Sequence, residues 1–228
     1  MKDRKRNLST LRDQAYLQIK DALLQSDGSG DNFSERQLAA DLGLSLGPVR
    51  AAIERLRAEN LIVVSRNTGI QLPQLTPDAI LDFFEVRLAL ETLVVEALAG
   101  QEISERCDYV EDILEKQLEC VEQGRADAYH DLDMQFHLGM ATLHGNAEIV
   151  RVLGGLRDRM YRLSSRMHAG HPERLAENYS QHKAIFEAVR AGDGVAARTN
   201  LVAHLSNGKN FLMNPRHQTR RSASLTAA

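Results

Sequence analysis

The chain has 228 residues, 43% hydrophobic and 26% charged, enough apolar side chain for one large or two modest cores, which excludes a wholly disordered chain or a disulfide scaffold. There is no run of 18 apolar residues, and the opening MKDRKRNLSTLR lacks the apolar stretch of a secretory signal, so the sequence predicts a cytoplasmic protein without a membrane partner. The net charge of −3 is uneven: residues 1 to 76 hold 11 Lys and Arg against 9 Asp and Glu, and the remainder holds 17 against 22, so a polyanion would meet the N-terminal part.

After a basic arm at residues 1 to 10, Ala15, Ile19, Ala22 and Leu23 recur at helical spacing and predict a helix from about 11 to 25. The turn-forming SDGSGDN follows, and Ser34 can cap a short helix that carries Leu38, Ala39 and Leu42. Gly43 breaks it. Ser45 can cap the next helix, whose first turn tolerates Pro48 and whose buried face is Val49, Ile53 and Leu56, leaving Arg50 and Arg57 turned elsewhere. The β-branched LIVV, the turn-prone SRNTG and the returning IQL read as a hairpin. Three helices and a hairpin over residues 11 to 73 make a winged helix-turn-helix.

Pro73 and Pro77 mark residues 74 to 77 as a stiff linker. Residues 78 to 214 then predict an all-α bundle of six helices, at about 77 to 99, 104 to 123, 125 to 143, 146 to 168, 173 to 191 and 193 to 213. Residues 215 to 228 have no apolar period and are expected to be a disordered tail. Cys107 and Cys120 are expected to be reduced and packed, without a role.

In a helix-turn-helix the second helix enters the major groove while the first braces it. Ser45 and the amides beside it can meet a phosphate, Arg50 can reach a guanine edge, and Arg36 is placed for phosphate or groove contact. The hairpin tip, with Arg66 and Gly69, can lie along the minor groove. The partner so implied is a palindromic double-stranded operator read by a homodimer, because half-site symmetry mirrors protein symmetry.

Downstream, Asp133 and His137 are spaced i, i+4 on an apolar helix face, and His182 and His204 lie on the apolar sides of two later helices. Burying such groups unpaired costs about 1 to 3 kcal/mol each, and one divalent cation could satisfy all four. Three imidazoles and a carboxylate suit Zn first, with Ni, Mn or Fe open. His130 and His144 are reserves. Arg157, Arg159 and Arg162 fall on the fourth helix with pocket, dimer and solvated roles all open.

The segment SERQLAADLGLSLGPVRAAIERLRAENLI followed by RNTGI resembles the DNA-binding domain of GntR-family regulators over about residues 11 to 73. By that resemblance Arg36, Ser45, Gly47, Arg50 and Gly69 match DNA-contacting positions. Leu46 stands where the family usually has arginine, and Ala51 where it usually has an acid, so Leu46 could offer only an apolar contact to a thymine methyl. Residues 77 to 213, with Asp133, His137, His182 and His204, are similar to the ligand-sensing FCD-type domain of the FadR subfamily, in its six-helix branch. The resemblance implies a metal at the base of a cavity that takes a small organic acid. It also implies that Arg87 pairs with an effector carboxylate or supports the fold. The function expected is a ligand-responsive transcriptional regulator, a repressor and not an enzyme. The alternative is a metal-dependent hydrolase, thinly supported because there is no His-Glu-x-x-His run.

Overall fold

The computed structural model describes residues 10–25, 32–59, 61–65, 69–103, 107–168, 171 and 173–214. Arg66, the N-terminal arm up to residue 9 and the tail from residue 215 lie outside the described residues. The chain divides into two compact units, Met1–Leu75 and Thr76–Ala228.

In the first unit, α1 (Leu11–Gln25) begins at a reciprocal cap in which the Asp13 amide donates to Thr10 Oγ1 and the Thr10 amide donates to the Asp13 carboxylate. Ser34 caps α2 (Glu35–Asp41) by accepting from the Gln37 amide, and α3 (Leu46–Ala58) follows the Gly43 turn. Ile19, Leu23, Leu38, Val49, Ile53 and Leu56 close one core beneath the three helices.

The wing is an antiparallel pair, β1 (Val63–Ser65) and β2 (Gly69–Gln71), with Val64 opposite Ile70. Ile70 also exchanges both backbone hydrogen bonds with Phe33, which ties the wing to the segment before α2. Gly69 makes that seam possible. It sits at φ +71°, and a Cβ there would lie 2.5 Å from the Phe33 carbonyl oxygen, so the glycine is required by the fold as well as by any close approach to DNA.

The second unit holds α4 (Pro77–Ala99), α5 (Asp108–Glu122), α6 (Ala126–His144), α7 (Ala147–Gly155), α8 (Arg157–His168), α9 (Glu173–Arg190) and α10 (Gly194–Met213). The all-α expectation holds, with one difference: the fourth predicted helix is divided in two at Leu156, directly after Gly154 and Gly155. Paired glycines lower the cost of leaving helical geometry there. Thr76 caps α4, Asn146 caps α7 and Asp193 caps α10, so these three helix starts supply an acceptor for their first free amides. α6 packs against α4, α5, α7, α8 and α9, and α10 packs on α4, α8 and α9, so polar groups on the inner faces of α6, α9 and α10 converge. Among the described residues no helix is long and apolar enough to cross a membrane.

Candidate metal centre and DNA-reading face

Asp133 and His137 project one turn apart from α6, His182 from α9 and His204 from α10, and all four are buried. One ligand nitrogen from each of His137, His182 and His204 lies within 4.8 Å of the other two. Asp133 is not part of that tight triangle, but its Oδ1 stands 3.4 Å from His182 Nε2. The structure therefore brings the four predicted residues together, with the carboxylate closest to one corner.

Each imidazole is oriented from behind through Nδ1. His137 meets Glu91 Oε2 at 2.7 Å, His182 meets Gln117 Oε1 at 3.0 Å and His204 meets Gln181 Oε1 at 2.9 Å. Gln117 gives its own Nε2 to the Leu132 carbonyl, and Gln181 gives its Nε2 to Glu177, which turns both amide oxygens toward the rings. An ionised carboxylate or an amide oxygen only accepts, so each Nδ1 carries a proton, and in the neutral ring the lone pair lies on Nε2. The Nε2 atoms of His137 and His182 are buried with no hydrogen-bond partner. Asp133 Oδ1 is already an acceptor, from Asn178 Nδ2 at 2.9 Å, so it and His182 Nε2 face one another as two acceptors without a donor.

Electrostatics favour coordination at two of the three imidazoles and at the carboxylate. Burial, reinforced by the neighbouring imidazoles, holds His182 well below the usual histidine range and brings His204 down to about 3, so both are neutral near pH 7. Burial pushes the Asp133 carboxyl up, but His137, Arg87 and His204 outweigh it and leave the group below its ordinary value. Glu91 behaves alike: burial raises it, and the Arg87 guanidinium and His137 more than offset the cost. The three imidazoles, His182 and His204 among them neutral, and the Asp133 carboxylate form a donor set that a divalent cation fits.

Arg87 is 4% exposed and spends Nε and one terminal nitrogen on Glu91, at 2.6 and 3.4 Å. It also lines a narrow pocket with Asp133, His204, Arg174, Asn178 and Gln181, so fold support and pocket wall are combined in one side chain. His130 belongs elsewhere: it stacks on His168, and both share the Ser164 hydroxyl at 3.1 and 3.4 Å. His144 ends α6 outside the triangle. Arg157 pairs with Asp131 on the surface, while Arg159 and Arg162 are half-buried. Cys107 and Cys120 are buried, and no disulfide joins them.

Sequence reasoning missed Glu91, Gln117, Asn178, Gln181 and Arg174. Two left a signal. Glu91 follows Arg87 by four residues, and Gln117 interrupts the apolar face that Ile113, Leu114 and Cys120 define on α5.

On the first unit, Arg36 in the first turn of α2 and Ser45, Leu46, Gly47 and Arg50 at the start of α3 are all exposed. Ser45 occupies the N-cap position, yet its side chain makes no cap hydrogen bond, contrary to expectation. Pro48 at the third helical position contributes, because it has no N–H and leaves the Gly47 amide as the one remaining cap donor. The hydroxyl and the neighbouring amides thus face outward at the positive end of α3. Arg50 Nε contacts Glu35 at 2.8 Å, with both side chains well exposed, a pair worth about 1 kcal/mol or less and so easily exchanged for a phosphate.

Comparisons with known proteins agree with this division. Residues 11–72 match the bacterial regulatory proteins of the gntR family, and residues 82–207 match the FCD domain. The chain belongs to the gntR family of transcriptional regulators, in the FadR-type branch that joins this DNA-binding domain to an FCD domain. It is 31% identical to an HTH-type transcriptional regulator in an unstable DNA locus of Streptomyces ambofaciens, over 87% of this chain and 84% of that protein. It is 26% identical to the HTH-type regulator YdhC of Bacillus subtilis, over 85% and 87%. In fold it is similar to E. coli McbR/YncC, with a TM-score of 0.74 at 20% identity, over 90% of this chain and 98% of that one. The chain is a DNA-binding regulator and not an enzyme, which removes the hydrolase alternative.

Proposed function

We propose that this regulator is a metal-dependent sensor of a small organic acid, acting in the cytoplasm as a homodimeric repressor on a palindromic operator. The carrying observation is the pair of buried, partnerless Nε2 atoms on His137 and His182, one of them facing Asp133 Oδ1. Leaving buried acceptors unmatched costs about 1 to 3 kcal/mol each, and one cation held by Asp133, His137, His182 and His204 removes the whole penalty. The donor set favours Zn, with Ni, Mn or Fe as competitors in the cell. The bound metal would offer a Lewis-acidic position to an effector carboxylate. Arg87, Asn178 and Gln181 supply polar walls around it. Effector binding regulates only through unequal affinity for the two arrangements of the DNA-binding domains. Arg36, Ser45, Gly47, Arg50 and Gly69 are proposed to contact the operator, with Arg66 at the wing tip and Leu46 against a thymine methyl.

The test is elemental analysis of gently purified protein together with binding of fluorescently labelled promoter DNA from its own locus. About one metal per chain, lost in His137→Ala, and DNA binding that a small acid weakens are expected. A metal-free protein whose operator affinity no acid alters would end the sensor reading. Activation of the adjacent promoter by the bound protein would overturn the repressor assignment.

A further inference from the structure

We infer that Arg174 is a second anchor in the pocket beside the metal centre, and that the ligand it selects is a small acid with two anionic groups, one for the metal end and one for this guanidinium. The inference rests on the effector reading above and adds to it a residue and a ligand class.

Two guanidinium groups line the pocket, and they differ in what they have left to give. Arg87 is committed to Glu91 through two contacts. Arg174, in the first turn of α9, is not. Its Nε is buried with no partner, one terminal nitrogen reaches Asn207 Oδ1 only at 3.5 Å, and the other stands 3.7 Å from Glu177. Its guanidinium carbon sits over the Phe211 ring, 4.1 Å from the centroid, which helps hold the fork in place. Burial lowers the pKa of Arg174, and Glu177 and Glu173 only partly oppose this, as expected for a cation whose countercharge is incomplete.

A carboxylate placed edge-on would accept from Nε and a terminal nitrogen at once, the two-point geometry that an ammonium cannot supply. Asp133 and His204 line the same pocket, so its metal end and Arg174 bound one space. Arg174 also lines the open surface groove with Asn207 and Phe211, which puts it where the pocket meets solvent. A monoacid would leave one of the two anion positions unanswered. A diacid fills both.

The experiment uses the full-length protein loaded with zinc and titrated calorimetrically with succinate and glutarate, each against its monoacid of equal chain length, butyrate and valerate. The better diacid should bind about ten- to a hundredfold more tightly than its monoacid. Arg174→Gln should bring the ratio close to one, and Arg174→Lys should restore only part of it. Equal affinity of monoacids and diacids for the wild type overturns the inference without reference to any variant. An unchanged ratio in Arg174→Gln does so as well. If no acid binds while zinc remains at one per chain and promoter DNA is still bound, the two-anchor inference falls and metal binding and DNA recognition stand. If zinc itself is not held, the sensor reading and this inference fall together.

Discussion

Nδ1 of His137 lies 2.7 Å from Oε2 of Glu91, and the same carboxylate takes Arg87 through Oε1 at 2.6 Å. Glu91 thus settles two questions: which ring nitrogen of His137 is free to coordinate, and how a buried guanidinium is neutralised. Replacing Glu91 by Gln keeps the shape but presents an N–H donor to one of its two donor neighbours. We expect Glu91→Gln to weaken zinc binding about 10- to 100-fold, the usual range for loss of an outer-sphere partner. Competition with a chromophoric chelator measures it. The stability of the metal-free protein should fall by about 3 to 5 kcal/mol, because Arg87 loses its countercharge. Unaltered zinc affinity in a folded variant would remove Glu91 from the metal centre.

Acid should weaken the fold through the second imidazole pair. Burial brings His168 down to about 4 and lowers His130, while an unfolded histidine titrates near 6.5. Below pH 6.5 the unfolded chain therefore takes up the proton first. The contribution is absent above pH 6.5, and stability is lost as pH falls from 6.5 to about 4, by something on the order of 3 kcal/mol for His168. Urea melts of the metal-free protein at pH 7.5, 6.5, 5 and 4 follow it. His168→Gln should make that slope shallower, the remainder belonging to His182 and His204, whose values are depressed in the same direction, and an identical slope in the variant would remove His168 from the acid response.

Glu35 should act as a brake on DNA binding. Its carboxylate occupies Arg50 Nε at 2.8 Å and places a negative charge beside the start of α3. Glu35→Gln is expected to tighten binding to any duplex a few-fold at low salt, with the gain fading as ionic strength rises. Fluorescence anisotropy over a salt series reads this. Weaker binding in the variant would mean that the pair positions Arg50 for DNA and does not compete with it.

The parts of this molecule that were legible in the sequence are those written in local periodicity. Asp133 and His137 share a face because they are four residues apart, and His182 and His204 show themselves as polar interruptions of apolar faces. The groups that orient those rings were not legible in the same way. Gln117 reaches His182 across 65 positions of sequence, and Asn178 reaches Asp133 across 45, so only the packing of α5, α6 and α9 brings them together. Local chemistry also explains the uncapped Ser45. Serine's propensity predicts a cap, and Pro48 three residues on takes away one of the two amides that such a cap uses.

The start of α3 offers the sharpest test of how this chain departs from its family. Leu46 is the first residue of the helix and is 37% exposed, next to a serine whose hydroxyl makes no cap bond. Leu46→Arg would place a cation at the positive end of the helix dipole, a cost of about 0.3 to 1 kcal/mol to the folded protein. In return it would add about one phosphate contact, steepening the slope of log affinity against log salt by about 0.9. Affinity should therefore rise at low salt for all sequences, and the operator should gain more only if the guanidinium finds a guanine edge, worth about 1 to 3 kcal/mol of discrimination. Measuring operator and scrambled duplexes across the same salt series separates the two terms. An unchanged salt slope would mean that residue 46 does not face the phosphates, and the leucine would then have to be explained by packing against a base or a partner chain.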